Sequence, residues 1–469
     1  MARLLRKRNI VIFLLLLVVL LAIGAVLFNA HLFADASDDD SKQPLTAEQT
    51  ALVRAAEQAG ATDIEAVHRK DGGLRIYAKL QGHPFAVAMP VSWNHQSALF
   101  ANGYSSPGSP FLVHKDPLDK ALGMILGQPY KEGFAVGDIS YDQSGLSFAS
   151  SVTNTHRLKE FLDKLGARQA YILGGSMGGN ITVDLIGKYP HDFVGAMPLC
   201  GVVGSWPNEI GYIVDTRAAY NYFTRGTAYA LPGAKELEKN AVPTLSQGVF
   251  TPVGGLLQAL QFKRLSDPVF KLYAAAAAQP NGPEAKIIDN ILAITGGDVA
   301  AKGDRFRDPA SIAAPVLTVA YGMDNIVDTF QGQIYDNTSK VYKSPYLSEQ
   351  ENAALNAGIQ RIHATPEATR RAAEWTDLLG KSQIKVLSIH NAIDPLVPNV
   401  LNESQLREAM QRAGQGDNLV QREVPSIRQP LKPFTDMEGY AHCGFTPEQM
   451  SKGWDDLRGW VENGNKPQP

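Results

Sequence analysis

In the stretch YILGGSMGGNITVDL, Tyr171 to Leu185, a serine sits among glycines, with an apolar run before it and a helix-like pattern after it. A serine hydroxyl is a poor nucleophile until a base removes its proton, and the base needs an acid to orient it. On a sharp strand-to-helix turn, the Ser176 hydroxyl would be lifted to the carboxyl edge of a sheet. The Met177 N–H, at the helix start, would then point to where an oxyanion forms. Small residues at 174 and 178 would let strand and helix approach without side-chain clashes. A plain glycine-rich turn is the competing reading of the same residues.

The run Gly174-Gly175-Ser176-Met177-Gly178, flanked by strand and helix, resembles the nucleophile elbow of the α/β-hydrolase superfamily. The resemblance implies a chain order of Ser, then Asp or Glu, then His. The strand-like IKVLSIH (384–390) ends in NAIDPLVP, which puts Asp394 just past a strand end. The wording Asp-Pro-Leu-Val-Pro is similar to the acid loop of many family members, although Asp before Pro is also an ordinary turn former. Asp142, in SYDQSG after an earlier strand, is the substitute acid.

The chain has ten histidines, and the nine past residue 36 compete for the role of base. His68, His83, His95 and His114 precede the elbow, and His156 and His191 lie on or after helices. His363 falls in a long helical segment, and His390 precedes Asp394. His442, in EGYAHCGFTPEQ, lies after the last strand and before the last helix, where the family places its base. The resemblance also implies a second oxyanion donor in the loop after the third strand, ANGYSSPG. The common family wording there is His-Gly, and this chain reads Asn102-Gly103-Tyr104. The expected donor is the Tyr104 backbone N–H, with Gly103 letting the chain turn close to the site.

Cys200 and Cys443 are the two cysteines. One ends the strand after the elbow helix and the other adjoins His442, so both belong near the carboxyl edge of one sheet. A disulfide pinning the histidine loop is expected, and two free buried thiols are the alternative. The His-Cys pair resembles that of tannase and feruloyl-esterase relatives, which tie a cysteine beside the base to one beside the serine. Here Gly175, not Cys, precedes Ser176, so the pairing would differ.

The elements that must position these residues follow from periodicity. Apolar runs at 74–80, 84–91, 97–103, 134–141, 170–175 and 193–200 read as strands, the first two as a hairpin across Gln-Gly-His. Helical patterns fall between the later ones, which argues for a mostly parallel sheet flanked by helices. Alternation fails after Gly201 and resumes at 384. The expected fold is therefore an α/β-hydrolase core, 66–201 and 383–469, with a large helical cap, 202–382, inserted between the sixth and seventh core strands. Thr46 is expected to cap a helix within a tether spanning 37–65, and Thr446 to cap the last helix with Glu448 in its first turn.

Residues 1–36 differ. Arg3, Arg6, Lys7 and Arg8 precede an apolar run from Ile10 to Phe28, and Ala34-Asp35-Ala36 has the form of a cleavage site. Export follows as an expectation. The protein would be anchored in the cell envelope facing outside, or secreted after cleavage near Ala36. The composition of the whole chain, 44% hydrophobic and 19% charged with a formal net charge of -3, is that of an ordinary globular protein with no basic footprint for nucleic acid. The sequence has no His-Glu-x-x-His, no cysteine cluster and no phosphate-binding loop, so neither cofactor nor metal is expected. The expected activity is hydrolysis of a carboxylic ester, from a small molecule or a polymer. Acyl transfer is the nearest alternative, because homoserine O-acetyltransferases carry a similar GGSMGG elbow. A peptidase and a non-catalytic envelope binding module are the others.

Overall fold

The computed structural model describes residues 40–469 apart from 106, 108–112, 234, 242–251, 299–307, 377–379 and 433. The basic-apolar segment 1–36 lies outside the described residues.

Nine strands form one mixed sheet: β1 (Ala61–His68), β2 (Leu74–Leu80), β3 (His83–Met89), β4 (Gln96–Ala101), β5 (Ala135–Ile139), β6 (Gln169–Gly175), β7 (Gly195–Leu199), β8 (Lys385–Asn391) and β9 (Leu419–Val424). Their order is β1-β2-β3-β5-β4-β6-β7-β8-β9. Strands β1, β2, β3 and β5 pair antiparallel, and every pairing from β5 through β9 is parallel. The swap of β4 and β5 and the run of parallel crossovers beyond it form the α/β-hydrolase arrangement. The β2–β3 hairpin closes over two residues, Gln81 and Gly82, both at positive φ, as the strand twist requires of so short a loop.

Helix α1 (Ala47–Gln58) precedes β1, and α2 (Lys120–Lys131), α3 (Phe148–Lys164) and α4 (Met177–Lys188) run between the later strands. Between β7 and β8 come α5 (Trp206–Phe223), α6 (Pro252–Ala278), α7 (Pro283–Thr295), α8 (Ala310–Phe330), α9 (Glu349–Gly358) and α10 (Pro366–Thr376). Helices α11 (Asn399–Arg412) and α12 (Pro447–Asn463) complete the chain, with a small ribbon of β10 (Arg428–Pro430) and β11 (Glu438–Tyr440) between them. Thr46 and Thr446 cap α1 and α12 as expected. In both, the reciprocal partner is the glutamine at the third helical position, Gln49 and Gln449, rather than the neighbouring glutamate.

Strand β1 was not anticipated. ATDIEAVH is only half-buried on the sheet edge, so it lacks the clean apolar alternation that marks a strand. With β1 counted, the inserted helices fall between the seventh and eighth strands rather than the sixth and seventh.

The two faces of the sheet have separate cores. On one, Phe134, Tyr171 and Trp454 of α12 meet edge to face, with centroids 4.9–5.7 Å apart. Full burial of each such ring contributes about 2–3 kcal/mol. On the other, α3, α4 and α11 bury Phe161, Ile181 and Leu406. The inserted helices hold a third cluster around Tyr273, Ile288 and Val316. They are also fused to the sheet core through Phe148, Trp206 and Phe330, whose rings lie within 6.5 Å of one another. Helix α8 is long and apolar enough to cross a membrane, but two-thirds of its most apolar stretch is buried among its neighbours, which accounts for its composition.

Candidate active site

Ser176 stands between β6 and α4 with φ 58° and ψ −122°, a conformation that L-residues adopt only when their surroundings impose it. Those surroundings are backbone. The Ser176 N–H donates to Leu199 O at 3.0 Å, and the Ser176 carbonyl accepts from Gly179 N at 2.9 Å and Val202 N at 3.2 Å. The neighbouring glycines are required by contact. A Cβ on Gly174 would lie 2.2 Å from Gly178 O, and one on Gly178 would lie 2.0 Å from Ala101 O.

The side chains converge from three separate places in the chain. His442 Nε2 is 2.8 Å from Ser176 Oγ. His442 Nδ1 lies 2.9 and 2.8 Å from the two oxygens of Asp394. Asp394 follows β8, and His442 follows β11. Asp394 is buried and also accepts from the N–H groups of Leu396 and Val397 at 2.9 Å and of Cys443 at 3.2 Å. Burial by itself favours the protonated acid. The adjacent His442, then His390 and the Val397 amide, outweigh it and hold the Asp394 carboxyl below its ordinary value. With Nδ1 facing an ionised carboxylate, Nδ1 carries the proton and Nε2 is free to accept one from the serine.

Asp142 takes no part in this chain. It is largely exposed and faces His83 at 3.4 Å. Of the other histidines, His390 is buried on β8 against Glu403, and His156 is bonded to Asp192.

The expected disulfide is present. Cys200 and Cys443 are bonded with Cα atoms 5.3 Å apart, both at positive φ. The bond ties the end of β7 to the residue after His442. Asp394, His442 and Cys443 also bring ligand-type atoms within 4.8 Å of one another. The sulfur is committed to the disulfide, and the other two groups are bonded to each other, so this cluster is not a metal site.

Gly103 lies beside Ser176, where an added Cβ would be 3.6 Å from Ser176 Cβ and 3.2 Å from Gly175 O. Met177 is the first residue of α4, where an N–H has no acceptor within its own helix. Tyr104 reaches the inserted helices, its hydroxyl 3.3 Å from where a Cβ on Gly322 would sit. The loop after β5 closes the same edge: Gly145 N donates to Ser105 O at 2.9 Å, and Leu146 N to Asn325 Oδ1 at 2.9 Å.

Three supporting groups were not legible in the sequence. Asp298, from the inserted segment, accepts the N–H groups of Asp394, Asn399 and Val400 at 2.9–3.2 Å. Glu209 on α5 is buried against Asn402, and burial pushes its carboxyl up to about 8. Asp138 on β5 accepts from the Asn102 side chain at 2.9 Å, and burial pushes it up to about 7. None lies in a motif, and each meets a partner distant in the chain.

No family model and no curated protein matches the chain. Among solved structures it is similar to feruloyl esterase B from Aspergillus oryzae, at 14% identity and a TM-score of 0.42 over 84% of this chain and 81% of that one. It is similar also to the rice cell wall degrading esterase LipA from Xanthomonas oryzae, at 13% identity and a TM-score of 0.38 over 87% and 95%. A third likeness is to an acetylester hydrolase from Corynebacterium glutamicum, at 13% identity and a TM-score of 0.33 over 85% and 94%. The fold of this chain is set by its own strand order, and its chemistry by its own side chains.

Proposed function

We propose that this chain is a serine hydrolase of carboxylic esters. The observation that carries the reading is the unbroken hydrogen-bond chain from Ser176 Oγ through His442 to Asp394, centred on a nucleophile in a strained turn. In the first step Ser176 Oγ attacks the acyl carbon, and its proton passes to His442 Nε2. Asp394 holds the imidazole by its Nδ1–H and stabilises the imidazolium. The carbonyl oxygen becomes an oxyanion received by backbone N–H groups of Met177 and of the Gly103–Tyr104 loop. Collapse breaks the ester C–O bond, and the proton on Nε2 leaves with the alcohol. Water then repeats the sequence on the acyl-enzyme, activated by the same imidazole, and releases the acid.

Ser176→Ala is expected to lose several orders of magnitude in turnover of a short-chain aryl ester. Full activity in that variant would reject the assignment. Offering alcohol acceptors while following the product type separates hydrolysis from acyl transfer. The reading extends to an exported protein held by, or released from, the segment 1–36. A disulfide beside the catalytic histidine fits an oxidising compartment. Cell fractionation with protease protection tests the location, and a protein protected within the cytoplasm would overturn it.

A further inference from the structure

Asp138 occupies a strand position where an apolar residue is the ordinary choice. All five residues of β5 are buried, and Asp138 is 2% exposed. A carboxyl group there is costly unless it is bonded. Among the described residues it has one side-chain partner, the Asn102 amide, which donates to Oδ2 at 2.9 Å, while Oδ1 has none. Asn102 is the first residue after β4 and directly precedes Gly103. Its backbone is held as well: the Asn102 N–H donates to the Tyr141 hydroxyl at 2.7 Å, and that hydroxyl lies 3.3 Å from the Asn102 carbonyl oxygen. Tyr141 is itself buried.

The sheet order gives these bonds a direction. Strand β4 lies between β5 and β6. Asp138 and Tyr141 belong to the β5 side, and Ser176 directly follows β6 on the other. Residue 102 is therefore gripped at side chain, N–H and C=O from the flank away from the nucleophile. In a planar trans peptide the carbonyl of residue 102 and the N–H of residue 103 point in opposite directions, so fixing the first fixes the second. The loop that follows runs so near Ser176 that a Cβ added at Gly103 would lie 3.6 Å from Ser176 Cβ.

We propose that Asp138 is a positioning residue that, through Asn102, holds the oxyanion-binding loop at Ser176. The proposal rests on the serine-hydrolase reading above. An oxyanion hole works because its donors are aimed before charge develops, so a loop free to shift by a fraction of an ångström loses rate rather than ground-state binding.

The test uses Asn102→Ala, Asp138→Ala and their double variant, with Asp138→Asn as the conservative replacement. Asn102 is only half-buried, so its variant folds even if Asp138→Ala does not. Asn102→Ala is expected to lower kcat for an aryl ester on the order of 10- to 100-fold with KM within about threefold. Binding of phenylboronic acid, which forms a tetrahedral adduct at the serine, weakens in parallel. Asp138→Asn keeps an acceptor for Asn102 and retains most of kcat. The double variant is no slower than the slower single, because both remove one contact. Hydrogen exchange across residues 101–105 rises in Asn102→Ala. That readout holds even if no ester is turned over, so failure of the hydrolase reading and failure of this one are distinguished. A kcat within twofold of the parent, a loss confined to KM, losses that multiply in the double variant, or unchanged exchange in the loop would each overturn the proposal.

Discussion

The carboxylate of Asp298 accepts the backbone N–H of Asp394 at 3.1 Å, although the two residues are 96 positions apart. The same carboxylate caps the start of α11 through Asn399 and Val400, where the residue at the cap position, Pro398, offers no side-chain acceptor. The inserted helical segment thus reaches into the core and holds the loop that carries the acid. Asp298→Ala removes an N-cap and leaves three N–H groups without their acceptor. It is expected to lower stability by about 1–3 kcal/mol and to reduce turnover by loosening Asp394. Urea denaturation and aryl-ester kinetics measure the two effects. Unchanged values of both would show that the segment merely covers the site.

The disulfide makes a second prediction. It closes a loop of 243 residues, and the chain-entropy account assigns such a cross-link ~5 kcal/mol. It also fixes the residue next to His442. Cys200→Ser and Cys443→Ser are each expected to lower stability by about 2–5 kcal/mol and to reduce activity further than the loss of folded protein explains. Reduction of the parent by dithiothreitol should reproduce both effects. Specific activity that is unchanged per folded molecule would confine the bond to stability.

Glycine positions near the elbow are not interchangeable with those elsewhere. A methyl on Gly178 would press on the backbone oxygen of Ala101, which lies in a central strand and cannot yield. Gly178→Ala is expected to cost more than about 3 kcal/mol, or to prevent folding. Gly127, on helix α2, meets nothing within 4 Å at the same test. Gly127→Ala should therefore stabilise by about 0.5–1 kcal/mol through helix propensity. Thermal unfolding of the two variants side by side decides the matter.

Stability should fall as pH rises. Burial alone lowers the His390 pKa, but Glu403 Oε1 at 3.1 Å, with Asp394, carries it from 6.5 up to about 9. The folded value lies above the unfolded one, so this stabilisation is complete below pH 6.5 and is lost as pH climbs through about 9. Glu209 and Asp138, pushed up by burial to about 8 and about 7, act in the same direction. In each case the unfolded chain releases a proton that the native chain keeps. The urea midpoint is expected to fall steadily between pH 6.5 and 9, and His390→Gln should flatten the upper part of that fall. A midpoint that is constant or rising over this range would contradict the assignment.

The candidate site was legible to this extent: the Ser, Asp, His order expected of an α/β-hydrolase picks out the three side chains that the structure brings within hydrogen-bond distance of one another. Ser176, Asp394 and His442 each follow a strand-like run, and glycines at 174 and 178 mark the turn. Those signals are local, and local signals survive in a one-dimensional string. Strands β4 to β8 were equally plain, since buried parallel strands are short, continuous apolar runs, and the antiparallel β2 and β3 showed as a hairpin of two such runs. Strand β1 was hidden because a half-buried edge strand has no such run.

What the sequence determined by itself was the set of reactive groups and the elements that carry them. What only the tertiary structure decided was which polar groups restrain them: Asp298 under the Asp394 loop, Asp138 behind Asn102, and Tyr141 against the same backbone. Each of those contacts joins residues tens of positions apart. A hydrogen bond depends on distance and angle in space, and neither is written in the order of residues along a chain.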